Sequence, residues 1–163
     1  MMRIGILSDT HGSLDEKTIH YLNTCQEIWH AGDVGNTNVL DQLDELGSLR
    51  AVYGNIDGKE IRIRTPEFQK FEIEQLRVLM IHIAGYPGRY NSKALELISS
   101  FNPDIVVTGH SHILKVIHDK TYNHLHINPG AIGLSGLHKV RTLIRLSLNA
   151  GKISDLEVVE IKR

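Results

Sequence analysis

Seven side chains in this sequence are of types that bind divalent cations, and each follows a short apolar run. Asp9 and His11, in Ser8-Asp9-Thr10-His11-Gly12, come after Ile4-Gly5-Ile6-Leu7. Asp33 follows Glu27-Ile28-Trp29-His30-Ala31-Gly32, and Asn55 follows Leu49-Arg50-Ala51-Val52-Tyr53-Gly54. His82 closes Val78-Leu79-Met80-Ile81, and Gly109-His110-Ser111-His112 comes after Ile105-Val106-Val107. Two carboxylates, an amide oxygen and four imidazoles exceed what one tetrahedral ion needs. They suit two ions whose shells are completed by water, with the Asp33 carboxylate able to bridge them. Two cations about 3.5–4 Å apart lower the pKa of a shared water and offset negative charge on phosphate oxygens. The expected chemistry is therefore phosphodiester hydrolysis by a hydroxide held between the ions, since phosphoryl transfer asks mainly for positioning and charge stabilisation. Crowded carboxylates without a cation would repel one another, which argues against Asp9 and Asp33 as mere turn residues.

The elements that position these groups are legible in outline. Residues 3–8 read as a strand, 14–24 as a helix capped at Ser13, 27–30 as a second strand. Residues 36–46 read as a helix with Val39, Leu40, Leu43 and Leu46 on one face and Gly47 ending it, and 49–53 as a third strand. That β-α-β-α-β order predicts a parallel sheet, with ligands at the carboxyl ends of its strands. Residues 60–64 and 68–74 alternate apolar with polar and read as half-exposed antiparallel strands, followed by a strand over 76–83. A loop over 84–90, a helix over 91–101 and a strand over 105–108 come next. Hairpins over 113–119 with 122–127, and over 140–148 with 153–161, close the chain. The expectation is one α/β domain over residues 1–163, a four-layer αββα sandwich of two mixed β-sheets flanked by helices.

Bulk properties narrow the class. The chain has 163 residues, 41% hydrophobic, with a formal net charge of -1, so nothing marks a nucleic-acid or membrane-surface binder. No apolar run approaches the ~18 residues of a membrane helix, and the start lacks a signal-peptide layout. One cysteine, Cys25, excludes an internal disulfide and fits a reducing compartment; it reads as a small helix residue facing the core. Cytoplasmic residence is the expectation. Ten histidines against one Trp and three Phe point to nitrogen and oxygen ligation.

Other polar residues have secondary readings. Asp57 is a candidate for orienting Asn55 or a ligand imidazole. Arg89, in the Gly85-Tyr86-Pro87-Gly88-Arg89-Tyr90 loop, is a candidate contact to a substrate phosphate, though a solvated loop arginine is the plainer reading. His20 and His30 read as structural. His124 and His126 fall on one face of a strand and could pair, and His138 could approach the cluster.

The ordered set Asp9-x-His11, Gly32-Asp33, Gly54-Asn55, His82 and Gly109-His110-x-His112 resembles the calcineurin-like metallophosphoesterase superfamily. Short length, His30-Ala31-Gly32-Asp33 and Asn128-Pro129-Gly130-Ala131 resemble its small phosphodiesterases of the YfcE type. The resemblance implies an αββα sandwich and a dinuclear site, with Mn favoured and Fe, Ni or Zn as alternatives. It implies Asp9, His11 and His112 on one ion, Asn55, His82 and His110 on the other, and Asp33 between, with Asp33, Asn55 and His82 the catalytic positions. It also implies a small-molecule phosphodiester substrate and a homodimer or homotetramer. Alternative readings are a phosphomonoesterase or nucleotide hydrolase, or a non-catalytic scaffold like the retromer subunit Vps29, which shares the fold. Two departures stand out. Many relatives carry a His after the Asn, where this chain has Ile56, and a Gly-His after the fourth ligand segment, where it has Ile83-Ala84-Gly85. Without a proton donor at Ile56, esters with good leaving groups are the expected substrates.

Overall fold

The computed structural model describes residues 1–163. Its first half builds a sheet by parallel crossover. Strands β1 (Met2–Leu7), β2 (Glu27–His30) and β3 (Ser48–Ala51) alternate with helices α1 (Glu16–Leu22) and α2 (Thr37–Leu46). The chain then forms α3 (Lys59–Arg64), the antiparallel pair β4 (Phe68–Ile73) and β5 (Leu76–Ile81), α4 (Ser92–Phe101) and β6 (Ile105–Val107). The hairpins β7 (Lys115–Asp119) with β8 (His124–Asn128) and β9 (Val140–Asn149) with β10 (Lys152–Lys162) complete it. The last hairpin returns to the first sheet, giving the order β10-β9-β1-β2-β3 beside a second sheet β4-β5-β6-β8-β7. Both sheets are mixed, because β9 runs antiparallel to β1 and β4 to β5 while the central pairs are parallel.

Alternation along the strands creates the layers. Ile4 and Ile6 of β1, Trp29 of β2, Val78 and Met80 of β5, and Ile105 and Val107 of β6 pack between the sheets. Their neighbours turn outward. Leu7 and Ile28 meet Leu22 of α1 and Leu40 and Leu43 of α2, while Leu79 and Val106 meet Ala94, Leu97 and Ile98 of α4. This is the expected αββα sandwich. Each fully buried apolar side chain contributes about 1.5–3 kcal/mol, and the burial fixes register. Leu7 lies opposite His30 and His30 opposite Ala51, so β1, β2 and β3 end level. Met80, Val107 and Ile127 are level in the other sheet. The loops that follow therefore start side by side. No helix is long and apolar enough to cross a membrane.

Three local expectations change. Residues 60–64 form α3 instead of a strand: Ile61 is buried and Ile63 is 73% exposed, so the alternating isoleucines are one core contact and one solvated residue. Thr65 Oγ1 donates to the Ile61 carbonyl at 2.9 Å and closes the helix. Helix α1 is capped by Asp15, which accepts from the Thr18 amide, instead of by Ser13, whose amide donates to Thr10 in a turn. Cys25 is buried against Leu22 and Ile28 but lies past the end of α1.

Candidate metal centre

The donor residues occupy the loops after β1, β2, β3, β5 and β6, and those loops converge. One donor atom each from Asp9, His11 and His112 lies within 4.8 Å of the others, and the same holds for Asp33, His82 and His110. In the first group, Asp9 Oδ1 is 3.1 Å from His112 Nε2 and 3.7 Å from His11 Nε2. In the second, Asp33 Oδ1 is 3.3 Å from His82 Nε2, and Asn55 Oδ1 is 3.0 Å from His110 Nδ1. The other Asp33 oxygen, Oδ2, faces the first group, 3.6 Å from His11 Nε2. Metal–nitrogen and metal–oxygen bonds of about 2.0–2.2 Å put neighbouring ligand atoms about 2.8–3.6 Å apart in octahedral or tetrahedral shells. Asp9 Oδ1 to His11 Nε2, at 3.7 Å, is about 0.1 Å beyond that range and the other spacings fall within it, and Asp33 turns one oxygen toward each group.

Protonation fits as well. His82 Nδ1 is 2.7 Å from the Ala31 carbonyl, so Nδ1–H donates there and Nε2 is the nitrogen that faces Asp33, where a cation would take the place of its proton. His82 Nε2 and His11 Nε2 are both buried with no hydrogen-bond partner. Buried orphan nitrogens are uncommon in folded proteins, and a cation between them and the carboxylates would satisfy both. Asp9 is fully buried; its Oδ2 accepts from Ser8 Oγ at 2.7 Å and from the His110 amide at 3.2 Å, leaving Oδ1 to the imidazoles. Burial pushes the Asp33 carboxyl up, but the His82 imidazole, the Ile56 amide and His11 outweigh it, and the carboxyl sits below its usual range. Burial pushes His82 down, and Asp33 and Asp9 outweigh that in turn, so His82 sits above its usual range.

The loops hold unusual backbone. Asp9, His11, Asp33, His110 and His112 have φ of 56°, 48°, 56°, 70° and 60°, in the left-handed region. Such values cost free energy for residues other than glycine and cluster at functional sites. They are held by surrounding polar groups. Asp57, 3% exposed, accepts from the amides of Val34 at 3.0 Å, Gly35 at 2.8 Å and Gly54 at 2.8 Å. It thus ties the Asp33 loop to the Asn55 loop without touching Asn55's side chain. His30, fully buried, accepts from the Gly32 amide through Nδ1 and meets Thr10 Oγ1 through Nε2. Ser8 and Thr10 carry no metal-binding side chain themselves, so residue type alone did not single them out.

The remaining expectations divide. His138 does approach the cluster, its ring edge-on to His112 with centroids 5.5 Å apart. Arg89 is exposed and lines none of the cavities beside the donors. One of those cavities, 540 Å³, is lined by Asn55 and His82 together with Arg62 and Lys93. A second, 200 Å³, begins at His110 and includes Tyr86, Lys115 and His126. Ile56 is 47% exposed beside Asn55 and offers no proton.

A two-sheet αββα fold with nitrogen and oxygen donors gathered at level strand ends defines a class, the metallophosphoesterases. Residues 2–151 match the calcineurin-like phosphoesterase superfamily domain, and the chain belongs to that superfamily. A probable metallophosphoesterase of Methanothermobacter thermautotrophicus is 31% identical over 137 residues, covering 80% of this chain and 77% of the relative. A phosphodiesterase of Methanocaldococcus jannaschii is 29% identical over 145 residues, covering 79% of this chain and 83% of the relative. Among solved structures, an archaeal phosphodiesterase matches with a TM-score of 0.75 at 25% identity, over 98% of this chain and all of its own. Zinc-bound Vps29 of Entamoeba histolytica matches with a TM-score of 0.75 at 17% identity over 99% of both chains, a likeness of fold alone.

Proposed function

We propose that the chain is a divalent-metal-dependent phosphodiesterase. The observation that carries the reading is the pairing of two donor groups across one buried carboxylate, Asp33. Asp9, His11 and His112 would hold one ion and Asn55, His82 and His110 the other, with Asp33 shared. Divalent ions bound there supply the acidity that makes water a nucleophile near neutral pH and the positive charge that offsets phosphate oxygens. The nitrogen and oxygen donors suit Mn, with Fe, Ni and Zn as alternatives. The protein's own groups do the positioning. Asn55, exposed at the cavity mouth, turns its oxygen toward His110 and leaves its amide N–H free for a phosphate oxygen. The Ser8 hydroxyl and the His110 amide hold Asp9 in place, and Asp57 holds the loop behind Asp33. Ile56 gives the leaving group no proton, so aryl phosphodiesters should react faster than alkyl ones.

The test is hydrolysis of bis-p-nitrophenyl phosphate by chelator-stripped protein reloaded with Mn²⁺, beside p-nitrophenyl phosphate as the monoester. Turnover of the diester, lost on stripping and in Asp33→Asn, supports the reading. A faster monoester rate would make the protein a phosphomonoesterase. No turnover above Asp33→Asn would favour the scaffold alternative, against which the complete donor set weighs.

A further inference from the structure

Next to the donor cluster, and outside it, four polar side chains are buried together: Asp119 at the end of β7, His124 and His126 on β8, and Tyr90 just before α4. Tyr90 Oη is 2.9 Å from His124 Nε2 and 2.8 Å from His126 Nδ1. Asp119 Oδ2 has no hydrogen-bond partner and stands 3.8 Å from His124 Nε2. Hydrolysis at the metal cluster makes no use of these four.

A phenol has one proton, so Tyr90 donates to one ring and accepts from the other. If it donated to His124 Nε2, that nitrogen would turn a lone pair toward the Asp119 carboxylate, and the ring's proton would sit at Nδ1, buried without a partner. In the other arrangement His124 Nε2–H points to Tyr90 and Asp119, Tyr90 donates to His126 Nδ1, and the atom left over at His124 Nδ1 is an acceptor. The carboxylate favours the second arrangement, and buried orphan N–H groups are rarer than under-used acceptors. Burial lowers both imidazoles, His126 to about 4, so each ring carries a single proton at neutral pH. The proton on His126 is then on Nε2. That nitrogen has no protein partner, and the ring, 1% exposed, lines the 200 Å³ cavity that starts at His110.

We propose that His126 Nε2–H, oriented by the Asp119–His124–Tyr90 chain, donates to an acceptor on one substituent of the phosphodiester, and that this substituent is anionic or carbonyl-bearing, never cationic. The cavity's charge agrees. Lys115 lies 4.2 Å from the Tyr86 ring centroid and pairs with no carboxylate, and neither Asp nor Glu lines the cavity. Ile83, Ala84 and Ile113 supply apolar walls. At about 30 Å³ per water molecule, the space suits one ring or a short acyl-bearing alcohol. The identity of the ligand as a substrate rests on the phosphodiesterase reading; the proton on Nε2 does not.

Two measurements test the assignment. In long-range ¹H–¹⁵N spectra of metal-free wild-type protein at pH 7, His126 should show the Nε2–H tautomer, and Tyr90→Phe should shift it toward a mixture. An Nδ1–H tautomer in the wild type overturns the proposal. In the second measurement, Mn²⁺-loaded protein is given p-nitrophenyl phosphodiesters whose other group is 3-carboxyphenyl, phenyl or 3-(aminomethyl)phenyl. A hydrogen bond to a charged group leads one to expect kcat/KM about tenfold higher for the carboxylate than for phenyl, and lower for the ammonium. Lys115→Met combined with His126→Phe should compress the three values to within about twofold, because both groups that distinguish them are gone. A flat ranking in the wild type, or a ranking that survives both substitutions, overturns the proposal. If no diester turns over, the phosphodiesterase reading falls, and the tautomer spectrum alone judges the donor.

Discussion

Gly54→Ala tests whether Asp33 stands where two coordination shells meet. A methyl on Gly54 would lie 2.0 Å from Asp33 Oδ1 and 2.4 Å from the Asp33 nitrogen, whereas ordinary contact begins at 3.4 Å. The carboxylate must therefore retreat by about 1.4 Å, and the clash with the backbone nitrogen forces the Asp33 loop to move with it. Gly54 has no positive φ, so the conflict is one of space and not of backbone freedom. Misplacement of about 1 Å in a reacting assembly costs about 100-fold, and kcat/KM on bis-p-nitrophenyl phosphate should fall at least that far. Overpacking costs about 1–3 kcal/mol, and in a chain of this size about 2–4 °C of Tm per kcal/mol, so the variant should stay folded. The assay is elemental analysis after gel filtration in Mn²⁺, paired with a thermal melt in chelator. Metal content should drop from two ions per chain, while Gly58→Ala, whose methyl meets nothing within 4 Å, should keep both. A folded Gly54→Ala protein with two ions and wild-type kcat/KM would refute the bridging role of Asp33.

Three further perturbations read different parts of the assembly. Asp57→Ala strands the amides of Val34, Gly35 and Gly54; at about 1–3 kcal/mol for each unsatisfied group, urea unfolding should show a loss of roughly 3 kcal/mol or more. Burial pushes the His30 imidazole down from 6.5 to about 4. The unfolded chain takes up that proton first, so stability is level above pH 6.5 and falls as pH drops toward 4, by about 3 kcal/mol in all. Unfolding free energies of wild type and His30→Gln should converge by that amount between pH 7 and pH 4, and a constant gap would contradict the assignment. Ile56→His should raise kcat on an alkyl phosphodiester by about 10-fold or more, since general acids contribute 100-fold or greater at well-placed sites. An unchanged rate on the poor leaving group would mean that the absent acid is not what limits it.

The convergence of the candidate donors was legible because strand patterns and ligand types coincide: Ile4-Gly5-Ile6-Leu7 before Asp9 and Ile105-Val106-Val107 before His110 mark buried strands and what their ends carry. The level ends of β1, β2 and β3 then follow from parallel pairing. What period and composition could not convey is tertiary. Ile61 and Ile63 alternate as a strand would, yet only Ile61 finds a core, and Gly58 and Thr65 bound a helix there. His124 and His126 could be put on one face by alternation alone. Their shared partner, Tyr90, is 34 and 36 positions away, and no local pattern connects them. Asp57 was legible as a candidate partner for Asn55 or an imidazole, but its tie between the loops after β2 and β3 shows only when those loops are seen against each other.

The left-handed backbone at Asp9, His11, Asp33, His110 and His112 also constrains what this scaffold can become. Among residues with side chains, Asn, Asp and His enter that region most readily, and β-branched or bulky ones seldom do. The turn geometry thus filters mutations before any ion does, passing hard and borderline ligands and resisting most replacements. Drift toward a different inorganic chemistry would first require those turns to be rebuilt. The same bends leave glycine as an escape route that eases the chain while discarding the ligand, so selection for robustness alone would tend to erode the centre.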